Sequence, residues 1–460
     1  MTGSVRNQYL TAICVNIFTL SYGTICGWSS AALLVLQSDE SPLESGPLTK
    51  DEASWIGAIM CIGGLLGNVA FGWISNKYGR RMALIIASFP LIFSFLMIPY
   101  SKNSIHLCIS RFIGGFTGSA AFAVIPIYIT EIAEDSVRGS LGSTIMIFCN
   151  FGILTSFVFG NFFSYILIPY LLAIFPTFFL VLIVLCLPES PSQLLRMGRE
   201  EDALKALIFF SGENEKEKSE VIMKELERMK DEVNSVDEKK SDRGVSWSDF
   251  TPSTTIKAMT IGIVLMCLNQ FCGIFAMLNY TASIFEQAGS SLSPNMSAII
   301  VAFIQVIGSY TATLLVERAG RKILYLVSTV GSAIGLSVLG IYINLSSKGY
   351  DCSDFEWVPV LSFSLTIFFA QLAILSLPFL IIAEILPSKI RSLGSNICLT
   401  LLWFLSFSVL KGLPFLVEML GLHGMMMLFA SFCFLGAVYI LVFLPETKGR
   451  SIDEIIGLFK

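Results

Sequence analysis

Asn76-Lys77-Tyr78-Gly79-Arg80-Arg81 and Glu317-Arg318-Ala319-Gly320-Arg321-Lys322 are one charge motif written twice. Two further motifs repeat in the same order. Glu131 and Arg138 recur as Glu384 and Arg391, and Pro188-Glu189-Ser190-Pro191 recurs as Pro445-Glu446-Thr447-Lys448-Gly449. All three pairs stand about 250 residues apart, and self-similarity at one spacing marks a duplicated unit. The chain therefore reads as two related halves.

The sequence between the motifs is apolar. Of 460 residues 54% are hydrophobic and 14% charged, whereas a soluble chain carries about 25% charged residues. Leu84 to Tyr100, Leu167 to Leu187 and Met425 to Leu444 are long uncharged runs. About 20 apolar residues cross the hydrocarbon core as a helix. The bilayer offers backbone groups no hydrogen bonds, so each run is expected to be helical. Period-2 alternation is missing, which argues against a barrel. The pattern predicts an all-α membrane protein with twelve transmembrane helices in two six-helix halves and a short cytoplasmic helical segment. The expected division is 1–188, a linker at 189–255, 256–444, and a tail at 445–460. The first apolar run, Tyr9 to Leu36, is too long for a signal peptide and is read as a retained helix.

Orientation follows Lys and Arg. The motif loops hold Lys77, Arg80, Arg81, Arg138, Arg318, Arg321, Lys322, Lys389, Arg391, Lys448 and Arg450, and the central segment adds more from Arg196 to Arg243. The other side has Lys50, Lys102, Lys348 and Lys411. The expectation is a multi-pass cell-membrane protein with both termini and the linker cytoplasmic. In the linker, Arg199 to Phe210 reads as an amphipathic helix, and Val221, Met223, Leu226 and Met229 suggest a second. Glu213 to Glu220 and Asp231 to Arg243 read as charged tethers. The eleven Cys show no metal or disulfide spacing and read as small apolar residues. Asn295-Met-Ser and Asn344-Leu-Ser are formal glycosylation sequons.

In the motif, Gly72 is expected to admit a close helix neighbour, and Gly79 to make the tight turn between two antiparallel spans. Glu131 and Arg138 are two turns apart and would share one face of a continuous helix. Arg80, Arg81, Glu131, Arg138, Glu189, Glu317, Arg318, Arg321, Glu384, Arg391 and Glu446 then form a gate at the cytoplasmic end. Pairs across the halves would latch that end shut and favour the outward-open state. Glu317 replaces Asn76, so the half around Gly320 is expected to hold the stronger part.

These motifs carry a resemblance. The chain resembles the sugar porter family of the major facilitator superfamily over nearly its whole length. Ser21-Tyr22-Gly23-Thr24 and Ser38-Asp39-Glu40-Ser41-Pro42-Leu43 are similar to segments of the insect trehalose and hexose facilitators. The resemblance implies transport by alternating access of the two halves. One departure is Asn76, where the family has Asp.

Polar residues in mid-membrane normally face a cavity or a partner. Asn269, Gln270 and Asn279 in the seventh span, Gln305 in the eighth, Gln371 in the tenth, and Trp403 and Ser406 in the eleventh are the candidates for binding substrate, with Phe379 added from the resemblance. Gly273 is expected to break the seventh span, and Pro378 and Pro387 to kink the tenth. The family pattern Gln-Gln-x-x-Gly-x-Asn reads here Asn269-Gln-Phe-Cys-Gly-Ile-Phe275. Its fifth-span Gln is Met146, its eighth-span Asn is Gln305, and the acidic residue of its tenth span is Gln371. The cavity is thus less polar than the family norm.

Related symporters also place an Asp in the first span near a Gly-x3-Gly pair. Here that pair is Gly23 and Gly27, and the Asp position is Ile25. The partner Arg is retained as Arg111, which is expected to be structural. His106 and His423 lie near the outer ends. The reading is a facilitative uniporter for a sugar, trehalose or a hexose. The alternatives are a carrier, proton-coupled or facilitative, for another small polar solute, or a non-transporting sugar sensor. No nucleophile–base, nucleotide or metal motif suggests an enzyme or a cofactor. The expected partners are a small sugar and the lipid bilayer, with no nucleic acid.

Overall fold

The computed structural model describes residues 3–134, 137–212, 222–231, 250–289, 292–387, 390–448, 450 and 452–458. Among the described residues there are helices, turns and no strand. Eleven of the described helical stretches are long and apolar enough to cross a membrane. In the first half they are Val5–Leu36, Lys50–Tyr78, Arg80–Tyr100, Ser104–Ile132, Gly139–Phe162 and Leu167–Cys186. In the second they are Ser253–Asn279, Pro294–Val316, Arg321–Ser347, Ser353–Ile385 and Leu393–Phe443. The last has 51 residues. At 1.5 Å per residue that is about 75 Å, more than twice the core of a bilayer. Its path turns at Gly421, where φ is 69° and ψ is 165°. It is therefore the eleventh and twelfth spans, and the fold is the expected twelve-helix one.

Within the first half, glycines let helices touch backbone to backbone. A Cβ on Gly23 would overlap the Cys149 carbonyl, and one on Gly152 would overlap the Leu20 carbonyl. Small residues make such contacts in membranes, where packing rather than the hydrophobic effect holds helices together. Gly72 does not do this: an added Cβ there meets nothing within 4 Å, because its face of the second span points away from the bundle. Across the halves, the second span lies along the eleventh, the fifth along the eighth, and the first against the broken seventh.

Among the described residues three spans are interrupted. The seventh breaks at Gly273, with φ 76°, as expected, and again at Tyr280 before Thr281–Ala288. The tenth splits into Val358–Leu372 and Leu377–Ile385. That break lies upstream of Pro378, which opens the second piece; Pro387 lies beyond its end. Proline lacks the N–H that a continuing helix needs, so it starts or ends pieces more readily than it bends them. The fourth span splits in the equivalent place, ahead of Pro126 at the start of Ile125–Ile132.

The linker forms Pro191–Arg196, Glu200–Ser211 and a helix at 222–231. The second buries Ala203, Ala206, Ile208 and Phe210, and Asn7 Nδ2 donates to the Phe209 carbonyl at 2.7 Å. The charged tether Glu213 to Glu220 and the chain from 232 to 243 lie outside the described residues.

Candidate functional site: two clasps, a seam at the opposite face and a buried polar seam

At the face bearing the motif loops, each half closes on itself. Gly79 turns with φ 101° and gives the third span no side-chain cap. Glu189 supplies one from the end of the sixth span: its carboxylate accepts the N–H of Arg80 and of Arg81, both at 2.9 Å. A Cβ on Gly79 would overlap that carboxylate. The Arg80 guanidinium is buried and grips Glu131 twice, Nη2 to Oε1 at 2.9 Å and Nε to Oε2 at 3.3 Å. It also donates to the Ser75 carbonyl and to Asn76 Oδ1. Ser190 Oγ donates to Glu131 Oε2 at 2.5 Å. Arg81 donates to the carbonyls of Ile183 and Val184.

The second half repeats the device. Gly320 turns with φ 84°, and a Cβ there would overlap Glu446. Glu446 accepts the N–H of Arg321 at 2.9 Å and of Lys322 at 3.1 Å. Arg321 Nη2 pairs with Glu384 Oε1 at 2.9 Å, and Thr447 Oγ1 donates to Glu384 Oε2 at 2.5 Å. Arg318 contributes its carbonyl, which accepts from Lys448 Nζ at 2.8 Å. The three repeated motifs are thus three parts of one clasp.

The expectation of charges paired across the halves is corrected for both of these ion pairs, which each lie inside one half. The reason is local. The fourth and tenth spans end beside the turn of their own half, and the two carboxylates that follow the sixth and twelfth spans are used up as helix caps. Nor do Glu131 and Arg138 share a helix. The fourth span ends at Ile132 with Ala133 extended, and Arg138 opens the next helix. In the second half the helix ends at Ile385, and Leu386 is extended, the conformation a residue before proline favours; Arg391 starts the following helix. The side chains of Arg138, Glu317 and Arg391 lie outside the described residues.

The two capping carboxylates differ. Burial pushes Glu189 above its ordinary pKa despite the N–H donors of Ser190, Arg81 and Arg80. Burial also raises Glu446, but there the N–H groups of Lys448, Arg321, Lys322 and Thr447 outweigh it and hold the carboxyl below the ordinary value.

At the opposite face, the halves are tied together. Lys411 Nζ reaches Asp51 Oδ1 at 2.5 Å and Ser54 Oγ at 2.8 Å, and lies 4.5 Å over the Trp55 ring. Ser29 Oγ donates to Asn279 Oδ1 at 2.7 Å, and the Ala282 N–H donates to Ser30 Oγ at 3.1 Å. Asn279, a candidate substrate ligand, is therefore engaged in a seam between the halves. Arg111 stands behind it, buried, donating to the carbonyls of Ile25 and Ile56 and to Ser29 Oγ, with its guanidinium 5.7 Å from the Trp28 ring. Among the described residues no carboxylate pairs with Arg111; at the first-span position 25 it meets a backbone carbonyl.

Deeper in the bundle the remaining candidates separate into two groups. Asn269 donates to the Ile374 carbonyl at 2.7 Å, satisfying the backbone exposed where the tenth span breaks, and accepts from Gln270 at 2.7 Å. Ser406 bonds its own helix at the Leu402 carbonyl. In this structure these three bond protein atoms. Gln305, Gln371 and Trp403 each bury a polar atom with no protein partner: Oε1, Oε1 and Nε1 respectively. The Trp403 ring crosses to the first half and covers Gly64, where an added Cβ would be 2.7 Å away. Gln371 packs against Gly308, three residues on from Gln305, on the same helix face. Phe379 is half-buried in the second piece of the tenth span. Asn150 is a residue the sequence reading missed. It lies on the fifth span, buried, and Gln305 Nε2 donates to its Oδ1 at 3.0 Å. The position the family resemblance points to on this span is the apolar Met146, one turn away, whereas the signal for Asn150 is that of any mid-span amide.

Comparison with known proteins agrees with this architecture. The family model described as sugar (and other) transporter matches residues 11–459. The chain is 34% identical over 451 residues to the facilitated trehalose transporter Tret1 of Drosophila pseudoobscura pseudoobscura, covering 98% of this chain and 51% of the relative. It is 33% identical to trehalose transporter 1 of Drosophila melanogaster, covering 98% and 52%. The chain thus spans about half the length of these curated relatives. It is also 32% identical to the Tret1-2 homolog of Drosophila simulans, covering 98% of this chain and 90% of that one. Among solved structures, the inward-open xylose transporter XylE of E. coli superimposes with a TM-score of 0.79 at 22% identity, over 98% of this chain and all of that one. The proton:xylose symporter XylE bound to 6-bromo-6-deoxy-D-glucose, a major facilitator superfamily protein, gives 0.76 at 22%, over 99% and 100%. At that identity the likeness is one of fold.

Proposed function

The chain belongs to the sugar (and other) transporter family, and from that premise we propose that it moves a neutral sugar, trehalose or a hexose, down its gradient by alternating access. One observation carries the reading. Polar atoms of Gln305, Gln371 and Trp403 are buried without protein partners. A buried orphan costs about 1–3 kcal/mol, so these groups are best explained by a polar solute that comes and goes. Uniport is favoured by Arg111, which bonds carbonyls and a hydroxyl where proton coupling would want a titratable acid. The motif face is taken as cytoplasmic from the Lys and Arg distribution, and the membrane as the cell membrane. On that orientation the bonds from Ser29, Ser30 and Lys411 close the outside, and the conformation is inward-facing or occluded.

The test is counterflow in proteoliposomes loaded with trehalose, glucose, fructose or a polyol, each with and without an imposed proton gradient. Exchange of a sugar that ignores the gradient is expected. Uptake that rises steeply with the gradient refutes uniport, and no exchange of any sugar refutes the transport reading.

A further inference from the structure

Asn150 and Gln305 come from different halves, and both are nearly inaccessible, at 3% and 2% exposure. They share one hydrogen bond, Gln305 Nε2 to Asn150 Oδ1 at 3.0 Å. The other atom of each amide, Asn150 Nδ2 and Gln305 Oε1, is buried with no partner. The pair therefore leaves one NH2 group and one carbonyl oxygen with no hydrogen bond, on adjacent groups. Exchanging oxygen and nitrogen on both amides leaves the same complement, so the conclusion does not depend on how the amides are oriented.

We infer that Asn150 and Gln305 form a subsite for one alcohol hydroxyl of the transported solute, bridging the two halves. The inference rests on the sugar-transport reading above. A hydroxyl accepts from the amide NH2 and donates to the amide oxygen, completing a ring that both amides leave open. A carboxylate only accepts and would face the free oxygen. An ammonium only donates and would leave the NH2 unsatisfied. The subsite thus selects a neutral, hydroxylated solute over organic acids and amines of the same size, by charge pattern rather than by shape. Gln371, one turn along from Gln305 through Gly308, adds a second free acceptor on the same side of the eighth span. Because one amide belongs to each half, a hydroxyl in the ring binds to both halves together.

The experiment compares glucose with its monodeoxy analogues in proteoliposome counterflow. The proteins are the wild type, Asn150→Leu, and the double variant Asn150→Leu/Gln305→Leu. Replacing both amides leaves no buried orphan, so the double variant keeps its fold where a single change strains it. In the wild type, the analogue lacking the hydroxyl that fills the ring should compete about tenfold more weakly than glucose. In both variants that penalty should vanish for that analogue alone, while the other analogues keep their order. Glucose itself should bind the variants about tenfold more weakly. A ranking of analogues identical in all three proteins overturns the subsite while leaving sugar transport standing. A wild type that exchanges no sugar overturns both.

Discussion

Ser30→Ala tests whether the last piece of the seventh span, Thr281–Ala288, is capped from the other side of the interface. The second break of that span puts Thr281–Ala288 behind Tyr280, which makes no side-chain cap. The first N–H groups of such a helix have no partner of their own. The Ala282 N–H finds one in Ser30 Oγ, 3.1 Å away on the first span, and Ser30 is buried. An N-terminal cap of this kind is worth about 0.5–2 kcal/mol. Here it exists only while the halves touch at that face, since on opening water takes over the N–H. Its loss therefore weakens the closed state by about 1 kcal/mol and raises the open population about fivefold. Adding Ser29→Ala removes the bond to Asn279 and one donor contact of Arg111. The double change should bring the total to about 2–3 kcal/mol. Hydrogen exchange followed by mass spectrometry reads this directly: residues 274–288 should exchange about fivefold faster in Ser30→Ala and faster again in the double variant. Residues 253–271 of the same span serve as the control and should stay unchanged. Equal acceleration of both segments, or of neither, refutes a cap across the interface.

Lys411→Ala should loosen the same face by about 0.2–1 kcal/mol, because Asp51 is solvent-exposed and exposed ion pairs are weak; raising the salt should erase the difference in exchange at residues 50–60. Gly79→Ala forces a Cβ onto a positive-φ turn and into the Glu189 carboxylate. It should lower the melting temperature sharply and by at least about 1–3 kcal/mol, whereas Gly72→Ala, which meets open space, should be neutral; equal effects would show the clasp unimportant. The two capping acids should respond oppositely to pH. Glu446 is held below its ordinary pKa, so its stabilisation is present above the ordinary carboxylate range and is lost on acidification through it. Glu189 is held above, so its charge costs stability at neutral pH and protonation relieves it. In thermal melts from pH 7 into the acid range, Glu446→Gln should flatten the loss of stability and Glu189→Gln should steepen it; identical slopes refute the asymmetry.

The repeated motifs made the two halves legible because charge is rare in a membrane chain, and each charged residue left in one is informative. The break at Gly273 was legible for a similar reason, since glycine is the weak point of a helix. The geometry of the clasps was not legible. Spacing alone could not tell that Glu131 ends one helix and Arg138 starts another, because the intervening residues carry no strong stop signal. Nor could it show that Glu189 and Glu446 cap backbone N–H groups, since a cap across 108 residues leaves no local pattern. The polar positions in mid-membrane were found as a class, but their roles depended on where each partner fell. Asn269 and Asn279 turned out to be committed to protein atoms. Gln305 and Gln371 each keep a buried amide oxygen without a partner, and Asn150 became visible only as the neighbour of Gln305.

The distribution of bonds between and within the halves fits the alternating access proposed above. Two conformations that interconvert must lie within a few kcal/mol of one another, so the surfaces that part cannot be held by strong charges. Both clasps place a guanidinium on a carboxylate with little solvent access, and breaking such a pair costs about 3–5 kcal/mol. Both sit inside a half, so parting the halves does not require breaking them. The described bonds that cross between halves include single neutral hydrogen bonds at Ser29, Ser30 and Asn150, and at Lys411 an ion pair with the exposed Asp51, a hydrogen bond to Ser54 and a ring contact with Trp55. Each is worth about 1 kcal/mol, small enough that one solute hydroxyl bridging Asn150 and Gln305 is a comparable term in the balance. On that proposal the charge motif that marks the duplication braces each half through Arg80–Glu131 and Arg321–Glu384, and the weaker seam between the halves is the part that moves.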